Sequence, residues 1–223
     1  MRTALTTFGL LCGLLVFQPQ AKAGSICDGQ PQNLVQNCGF ETGDFTGWTL
    51  TGNPVTNGEL NIVYGVETID PFDGFSPNSG TYQAFFANQN NTSVGGTNTI
   101  TLSQVIPTVA GQLYQVSWYL VQDTAPVLGD PQGEGDNALL ATFGSTTLQS
   151  DINLAVTGGY ILQTGTATAT SSSTTLSFTI DNGLGEFLLD DTSVVSPEPA
   201  AWQLALGGAM LLLIFYRKRI AAL

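Results

Sequence analysis

Between residues 24 and 196 the chain is written in period two. Gln112-Leu113-Tyr114-Gln115-Val116-Ser117-Trp118-Tyr119-Leu120 sends Tyr114, Val116, Trp118 and Leu120 to one face of an extended strand. Leu176-Ser177-Phe178-Thr179-Ile180 and Thr99-Ile100-Thr101-Leu102-Ser103 repeat the alternation. Turn-forming dipeptides separate such runs, and no stretch within them sustains a helical period. A sheet of alternating strands has one apolar face to bury, so the expected fold is all-β, an antiparallel two-sheet β-sandwich. No internal repeat of about 20 to 50 residues is present, which argues against propellers and solenoids. Trp48 and Trp118 are assigned to the core. Thr166, Thr168 and Thr170 alternate with small residues, so Thr164 to Thr175 is expected to be an exposed edge strand plus a turn, with a linker or glycosylation target as the alternative.

Charge narrows the function. The chain has 17 Asp plus Glu, 5 Lys plus Arg and no His. The bases are Arg2, Lys22, Arg217, Lys218 and Arg219, so none lies between Lys22 and Arg217. A nucleic-acid partner is excluded because phosphate contacts need Lys or Arg. The P-loop lysine, the usual Ser/His/Asp triad and His-ligated zinc are excluded with it. Any acid or base chemistry is left to carboxylates.

The basic residues mark two topogenic ends. Arg2, the apolar Phe8 to Phe17 and the small-x-small site Ala21-Lys22-Ala23 form a secretory signal over residues 1–23, so mature protein begins at Gly24. A lipoprotein signal at Cys12 is the alternative, disfavoured because Leu10-Leu11 precede it where small residues are wanted. At the other end, Ala200 to Tyr216 is apolar except for Gln203 and is followed by Arg217-Lys218-Arg219. These 17 residues would span about 25 Å as a helix, at the short end of what crosses a bilayer, and the basic cluster keeps that end cytoplasmic. A buried core helix is the alternative. The expected domains are thus residues 1–23, the exported sandwich 24–196 and a sorting segment 197–223.

Pro197-Glu198-Pro199 immediately precedes the apolar segment, and each Pro resists helix there. With the apolar helix and the basic terminus, this arrangement resembles the PEP-CTERM protein-sorting signal. The resemblance implies that a membrane-embedded exosortase recognises Pro197, Glu198 and Pro199 and the basic Arg217, Lys218 and Arg219. It further implies transient anchoring in the inner membrane, then cleavage and transfer to the cell surface or exterior, in bacteria that make extracellular polysaccharide.

After export, Cys27 and Cys38 remain as an even pair in an oxidising compartment, either bridged or as two free thiols. A bridge would close a loop of about a dozen residues.

Phe187-Leu188-Leu189-Asp190-Asp191-Thr192-Ser193-Val194 puts Asp190 on one parity of a strand and Asp191 on the other, so whichever face is inward carries an acid. No Lys, Arg or His in the domain can pair it, and an unpaired buried carboxylate is costly. Hard oxygen ligands without imidazole point to calcium. Here the chain resembles the galactose-binding-like jelly rolls of carbohydrate-binding modules, through Asn37, Phe40 and Glu41 at the opening and Leu189, Asp190, Asp191 and Val194 at the close. Cys38 and Thr192 depart from that pattern. The likeness extends through Ser79 to Phe86, Leu102 to Ile106 and Ser117 to Leu120. It implies a jelly roll with a structural calcium on Glu41 and Asp190, Asp191 being the substitute ligand.

A sugar site needs aromatic platforms beside amide or carboxylate hydrogen-bonders. The candidates in loop-like surroundings are Tyr64, Phe72, Phe75 and Tyr160, with Asn78, Asn88, Gln89, Asn90 and Asn91 nearby in sequence. Asp130 to Asn137 reads as a solvated hairpin loop or a second cation site, and Glu67, Asp70 and Asp73 are treated in the same way. The expected function is a non-catalytic exported surface or extracellular-matrix protein, associated with exopolysaccharide or biofilm and carbohydrate-binding. A carboxylate-dependent glycoside hydrolase is the alternative, although no acid pair is marked out for it.

Overall fold

The computed structural model describes residues 25, 27–52, 64–71, 74–87, 99–123, 137–152, 154–182 and 186–196. Ten strands run through them: β1 Thr49–Gly52, β2 Tyr64–Glu67, β3 Gln83–Phe86, β4 Ile100–Pro107, β5 Leu113–Asp123, β6 Asn137–Phe143, β7 Thr146–Ile152, β8 Ile161–Thr168, β9 Ser173–Asn182 and β10 Glu186–Val195. They form two five-stranded sheets, ordered β1-β4-β9-β6-β7 and β2-β3-β10-β5-β8. Every neighbouring pair is antiparallel. The expected all-β sandwich is therefore what the described residues build.

The alternation read from the sequence sets the inward faces. Tyr114, Val116, Trp118 and Leu120 on β5 are buried, as are Leu176, Phe178 and Ile180 on β9 and Ile100, Leu102 and Ile106 on β4. Trp118 meets Phe178 across the two sheets at 5.4 Å between ring centroids, nearly edge-on at 69°. Trp48 stacks on Phe40, with centroids 5.8 Å apart, and closes the same core. Both tryptophans are thus core residues, and full burial of such side chains contributes roughly 1.5–3 kcal/mol each.

The Thr-rich stretch is the edge strand β8, which pairs only with β5, and a turn into β9. Thr164, Thr166 and Thr168 face solvent while Ala167 is buried. The segments expected to be a signal peptide and a sorting signal, residues 1–23 and 197–223, lie outside the described residues.

Two features position the site. Residues 25–48 run beside the second half of β10: Thr192 N donates to Cys38 O at 2.9 Å and Leu34 N to Val194 O at 2.9 Å. The bridge Cys27–Cys38, with Cα atoms 6.0 Å apart, closes this segment on itself, so the bridged alternative holds. In addition, β10 carries a bulge. Asp190 pairs with Tyr119 but Ser193 with Ser117, so one residue of β10 is extra. Asp191 sits in the kink with φ at 48°, a left-handed conformation that Asp tolerates better than most residues.

Candidate functional site

The bulge overturns the parity argument while preserving its conclusion. Phe187 and Leu189 face the core, and alternation would return Asp191 to it; instead the extra residue brings Val194 back in phase. Both acids are buried, Asp190 at 0% and Asp191 at 3% exposure.

Asp191 is taken up by donors from two other segments. Its Oδ1 accepts from Ser25 Oγ at 2.5 Å and Ser79 Oγ at 2.8 Å, and its Oδ2 from Asn78 Nδ2 and Ser79 Oγ at 2.7 Å each. A carboxylate so occupied acts as a joint between the N-terminal segment, the 78–79 turn and β10.

Asp190 and Glu41 grip the same turn from two sides. Asp190 Oδ2 accepts from Ser79 N at 3.3 Å, and its Oδ1 from Asp191 N at 2.7 Å. Glu41 Oε1 accepts from Thr81 N at 2.8 Å and Tyr82 N at 3.1 Å. Gly80 lies between them. Burial, then the adjacent Asp191 charge, pushes the Asp190 carboxyl up to about 8 against the backbone donors that pull it down. Asp28 is raised too, first by burial and then by Glu41 and Asp191.

The chemistry of this donor set fits calcium: hard carboxylate oxygens, no nitrogen or free thiolate, and no basic side chain among the described residues. Close packing supports the fit. A Cβ on Gly39 would lie 2.3 Å from Ser25 Oγ, so beside Asp190 the backbone has to pass Ser25 bare.

A second acidic group gathers at the opposite end of β10. Glu186, Leu188 and Asp190 share one face of that strand, the face turned away from the core, and Glu186 is the Cα partner of Asp123 on β5. Val121 and Leu188 are buried there at 0% each, so this end of the sheet is covered on both sides. Glu67 from β2 and Asp70 from the turn after it complete the group, with one carboxylate oxygen from each of Glu67, Asp70 and Glu186 within 4.8 Å of the others. Burial first, then the charges of Asp70, Glu67 and Asp123, lift Glu186 to about 9. Burial lifts Glu67 to about 7, against the hydrogen bond from Gln83 and with help from Asp70.

Gln83 and Tyr160 lie between the two acidic groups. Gln83 Nε2 donates to Glu67 Oε1 at 3.0 Å and to Phe75 O at 3.2 Å, while Tyr160 donates its hydroxyl to Gln83 Oε1 at 2.8 Å. The Tyr160 hydroxyl is held far above its ordinary range, by burial first and then by Asp190, Glu67, Asp191 and Glu186.

Of the aromatic candidates, Tyr160 through its hydroxyl and Phe75 through its backbone carbonyl both bond Gln83, and each is half-buried. Tyr64 goes elsewhere: it packs against the core, its ring centroid 6.4 Å from Phe45, because its position on β2 has inward parity. Asn78 is bound to Asp191. Phe72, Asp73, Asn88 to Asn91, the acids of 130–136 and the residues expected to direct sorting, Pro197, Glu198, Pro199, Arg217, Lys218 and Arg219, lie outside the described residues. Glu186, Asp123 and Gln83 escaped the sequence reading. Each is a lone polar residue in or beside an apolar strand, and only the shared parity of Glu186 with Asp190 could have singled one out.

The sequence matches no protein-family model and no curated protein. Solved structures do resemble the fold. A Stig cyclase, Fisc from Fischerella sp. TAU, aligns with a TM-score of 0.52 at 17% identity over 78% of this chain and 97% of its own. The enzymatically active domain of tailspike protein 4 from bacteriophage CBA120 aligns at 0.50 and 12%, over 74% of this chain and 21% of its own. TmCBM61, solved with beta-1,4-galactotriose, aligns at 0.49 and 17%, over 75% and 100%. The likeness to the cyclase and the tailspike domain is one of fold, and places this chain in the class of two-sheet β-sandwiches.

Proposed function

We propose that this chain is a non-catalytic exported protein of the cell surface or extracellular matrix whose β-sandwich, a jelly-roll module, binds carbohydrate. The observation that carries the binding reading is the group formed by Phe75, Tyr160, Gln83 and Glu67 on the outer face of the β2-β3-β10-β5-β8 sheet. Half-buried Phe75 and Tyr160 beside the half-buried Glu67 carboxylate offer what a sugar needs, a platform for its C–H face and a partner for its hydroxyls, while the buried Gln83 holds Tyr160, Glu67 and the Phe75 carbonyl together from beneath.

Glu41 and Asp190 hold a structural calcium in this proposal. The ion supplies the positive charge that no side chain of the domain provides, and Glu41, Asp190 and the Ser79–Tyr82 turn orient one another around it. The sequence ends supply the rest. A signal peptide exports the chain, the apolar segment anchors it transiently in the inner membrane, and an exosortase-type enzyme reading Pro197-Glu198-Pro199 delivers it alongside extracellular polysaccharide or biofilm matrix.

Binding is tested by glycan array and polysaccharide pull-down. Tyr160→Ala and Phe75→Ala are expected to weaken capture at least tenfold while the chain stays folded; no capture by the wild type would leave only a structural matrix role. Sorting is tested by Glu198→Ala, which should leave the tail attached, and unchanged processing would count against exosortase recognition.

One observation favours a second reading, a carboxylate-dependent glycoside hydrolase. The Glu67, Asp70 and Glu186 oxygens approach within 4.8 Å, near the spacing of roughly 5–5.5 Å between carboxyls of retaining glycosidases. Exposures of 1% for Asp70 and 3% for Glu186 leave a sugar no path to them, so binding without cleavage is the stronger reading. Hydrolysis of chromogenic glycosides, abolished by Glu67→Gln, would reverse that preference.

A further inference from the structure

We infer that Glu67, Asp70 and Glu186 form a second cation site, for calcium, separate from the one assigned to Glu41 and Asp190 and sharing Glu67 with the group to which sugar binding is assigned. The three residues come from the end of β2, the turn after it and the start of β10. Oxygens that bind one calcium at about 2.3–2.6 Å can stand no more than about 5 Å apart. The three carboxylates meet that limit, each offering an oxygen within 4.8 Å of the other two.

A cluster of acids alone would be weak ground, because solvated carboxylates gather without an ion. These are not solvated. Asp70 is 1% and Glu186 3% exposed, and Glu186 faces Asp123 across the strand pair. Glu186 Oε1 is wholly buried and accepts no hydrogen bond among the described residues. A proton shared with Asp70 uses one oxygen of Glu186 and leaves Oε1 unanswered. Nor can a basic side chain answer it, since the chain has none between Lys22 and Arg217. Leaving a buried oxygen in that state is costly, more so when it is charged, and a cation held by the three carboxylates answers it.

The surroundings are arranged as a metal site requires. Gln83 fixes Glu67 through its Nε2 at 3.0 Å, and Tyr160 fixes Gln83 in turn at 2.8 Å, which orients a ligand from outside it. All the donors are hard oxygens, which selects calcium over zinc or copper. The buried, carboxylate-only setting suits calcium better than magnesium, which keeps several waters. Bound there, the ion ties β10 to β2 and to the turn that leads to Phe75.

The test uses the full chain in mild detergent, stripped of metal by chelator and titrated calorimetrically with calcium chloride alone. Wild type is expected to bind two calcium ions, Glu41→Gln one, Glu186→Gln one, and Glu186→Gln to lose part of the calcium-dependent rise in melting temperature. Glu67→Gln, at a half-buried position, should repeat the loss and covers the case in which Glu186→Gln fails to fold. Calcium stoichiometry unchanged in both Glu186→Gln and Glu67→Gln, or no calcium at all on Glu41→Gln, overturns the second site. A wild type that binds one ion, kept by Glu41→Gln and lost by Glu186→Gln, upholds this site and removes the Glu41 one.

Discussion

A Cβ on Gly80 would stand 2.1 Å from Oε1 of Glu41, and Gly80 itself has φ at +68°. The carboxylate is the far end of a flexible side chain, but it is held by the amides of Thr81 and Tyr82 and cannot swing away without releasing both. Gly80→Ala therefore meets two obstacles, a left-handed backbone and a displaced acceptor. The expected cost is about 2 to 4 kcal/mol, seen as a lowered urea midpoint with an unchanged slope. Gly74, also at positive φ, has open space around it. Gly74→Ala should cost about 1 kcal/mol, from the backbone alone.

Replacing Cys27 and Cys38 together by Ser removes a cross-link over a sequence separation of 11. On loop-closure grounds the loss is about 2 to 3 kcal/mol. Ser25 and the Cys27 amide both donate to Asp191, so freeing this segment also loosens the acceptor they share. Thermal unfolding should fall by a similar amount in wild type under reductant and in the double variant without it. A reductant effect that persists in the double variant would point to some other cause.

Glu41→Gln keeps an Oε1 acceptor for Thr81 and Tyr82 but removes the charge. With chelator present the variant should melt within a few degrees of wild type. Calcium at a hundredfold excess over its dissociation constant stabilises a single-site protein by about 2.7 kcal/mol, and the variant should lose one such increment. Equal calcium-induced shifts in both proteins would show that Glu41 holds no ion.

How much of this was legible in the sequence follows from what period two can and cannot encode. The inward faces of β4, β5 and β9 were readable because apolar residues such as Leu102, Trp118 and Phe178 recur at every second position, and the buried polar Gln104 and Thr174 are too few to mask the rhythm. The same rule failed at Asp190-Asp191, where a bulge inserts one residue and no local signal announces it. Tyr64 read as loop-like because the four-residue strand that carries it is too short to show its parity. The Glu67, Asp70 and Glu186 group was half visible: Glu67 and Asp70 are neighbours in sequence, but Glu186 joins them only through sheet order β2-β3-β10, a long-range pairing that side-chain rhythm does not determine.

Asp44 offers a pH-dependent test. Hydrogen bonds from the side chains of Thr46 and Thr42 and from the Thr46 amide hold its carboxyl below the usual range. Thr42 Oγ1 lies 2.7 Å and Thr46 N 2.9 Å from Oδ1. Because the folded value is depressed, the contribution is complete above the ordinary value of 3.8 and is lost as pH falls through the lower folded one. The Thr46 amide resonance should shift with that lowered midpoint in wild type, and the transition should vanish in Asp44→Asn.

The joint at Asp191 separates backbone strain from hydrogen bonding. Asp191→Asn tolerates the φ of 48° and keeps one oxygen for Ser25 and Ser79, but it turns an amide toward Asn78 Nδ2, donor against donor. Asp191→Ala loses every acceptor and retains the strain, whereas Asp191→Gly loses the acceptors and relieves it. If hydrogen bonding dominates, Ala and Gly should fall together by about 3 kcal/mol or more and Asn by about half as much, since four donors, Ser25 Oγ, Cys27 N, Asn78 Nδ2 and Ser79 Oγ, lose their partner. If strain dominates, Gly should approach wild type and Ala alone should fall. The donors on Asp191 come from residues far apart in sequence, Ser25, Asn78 and Ser79, so the first outcome is expected. Denaturant midpoints of the three variants, measured without calcium, decide between them.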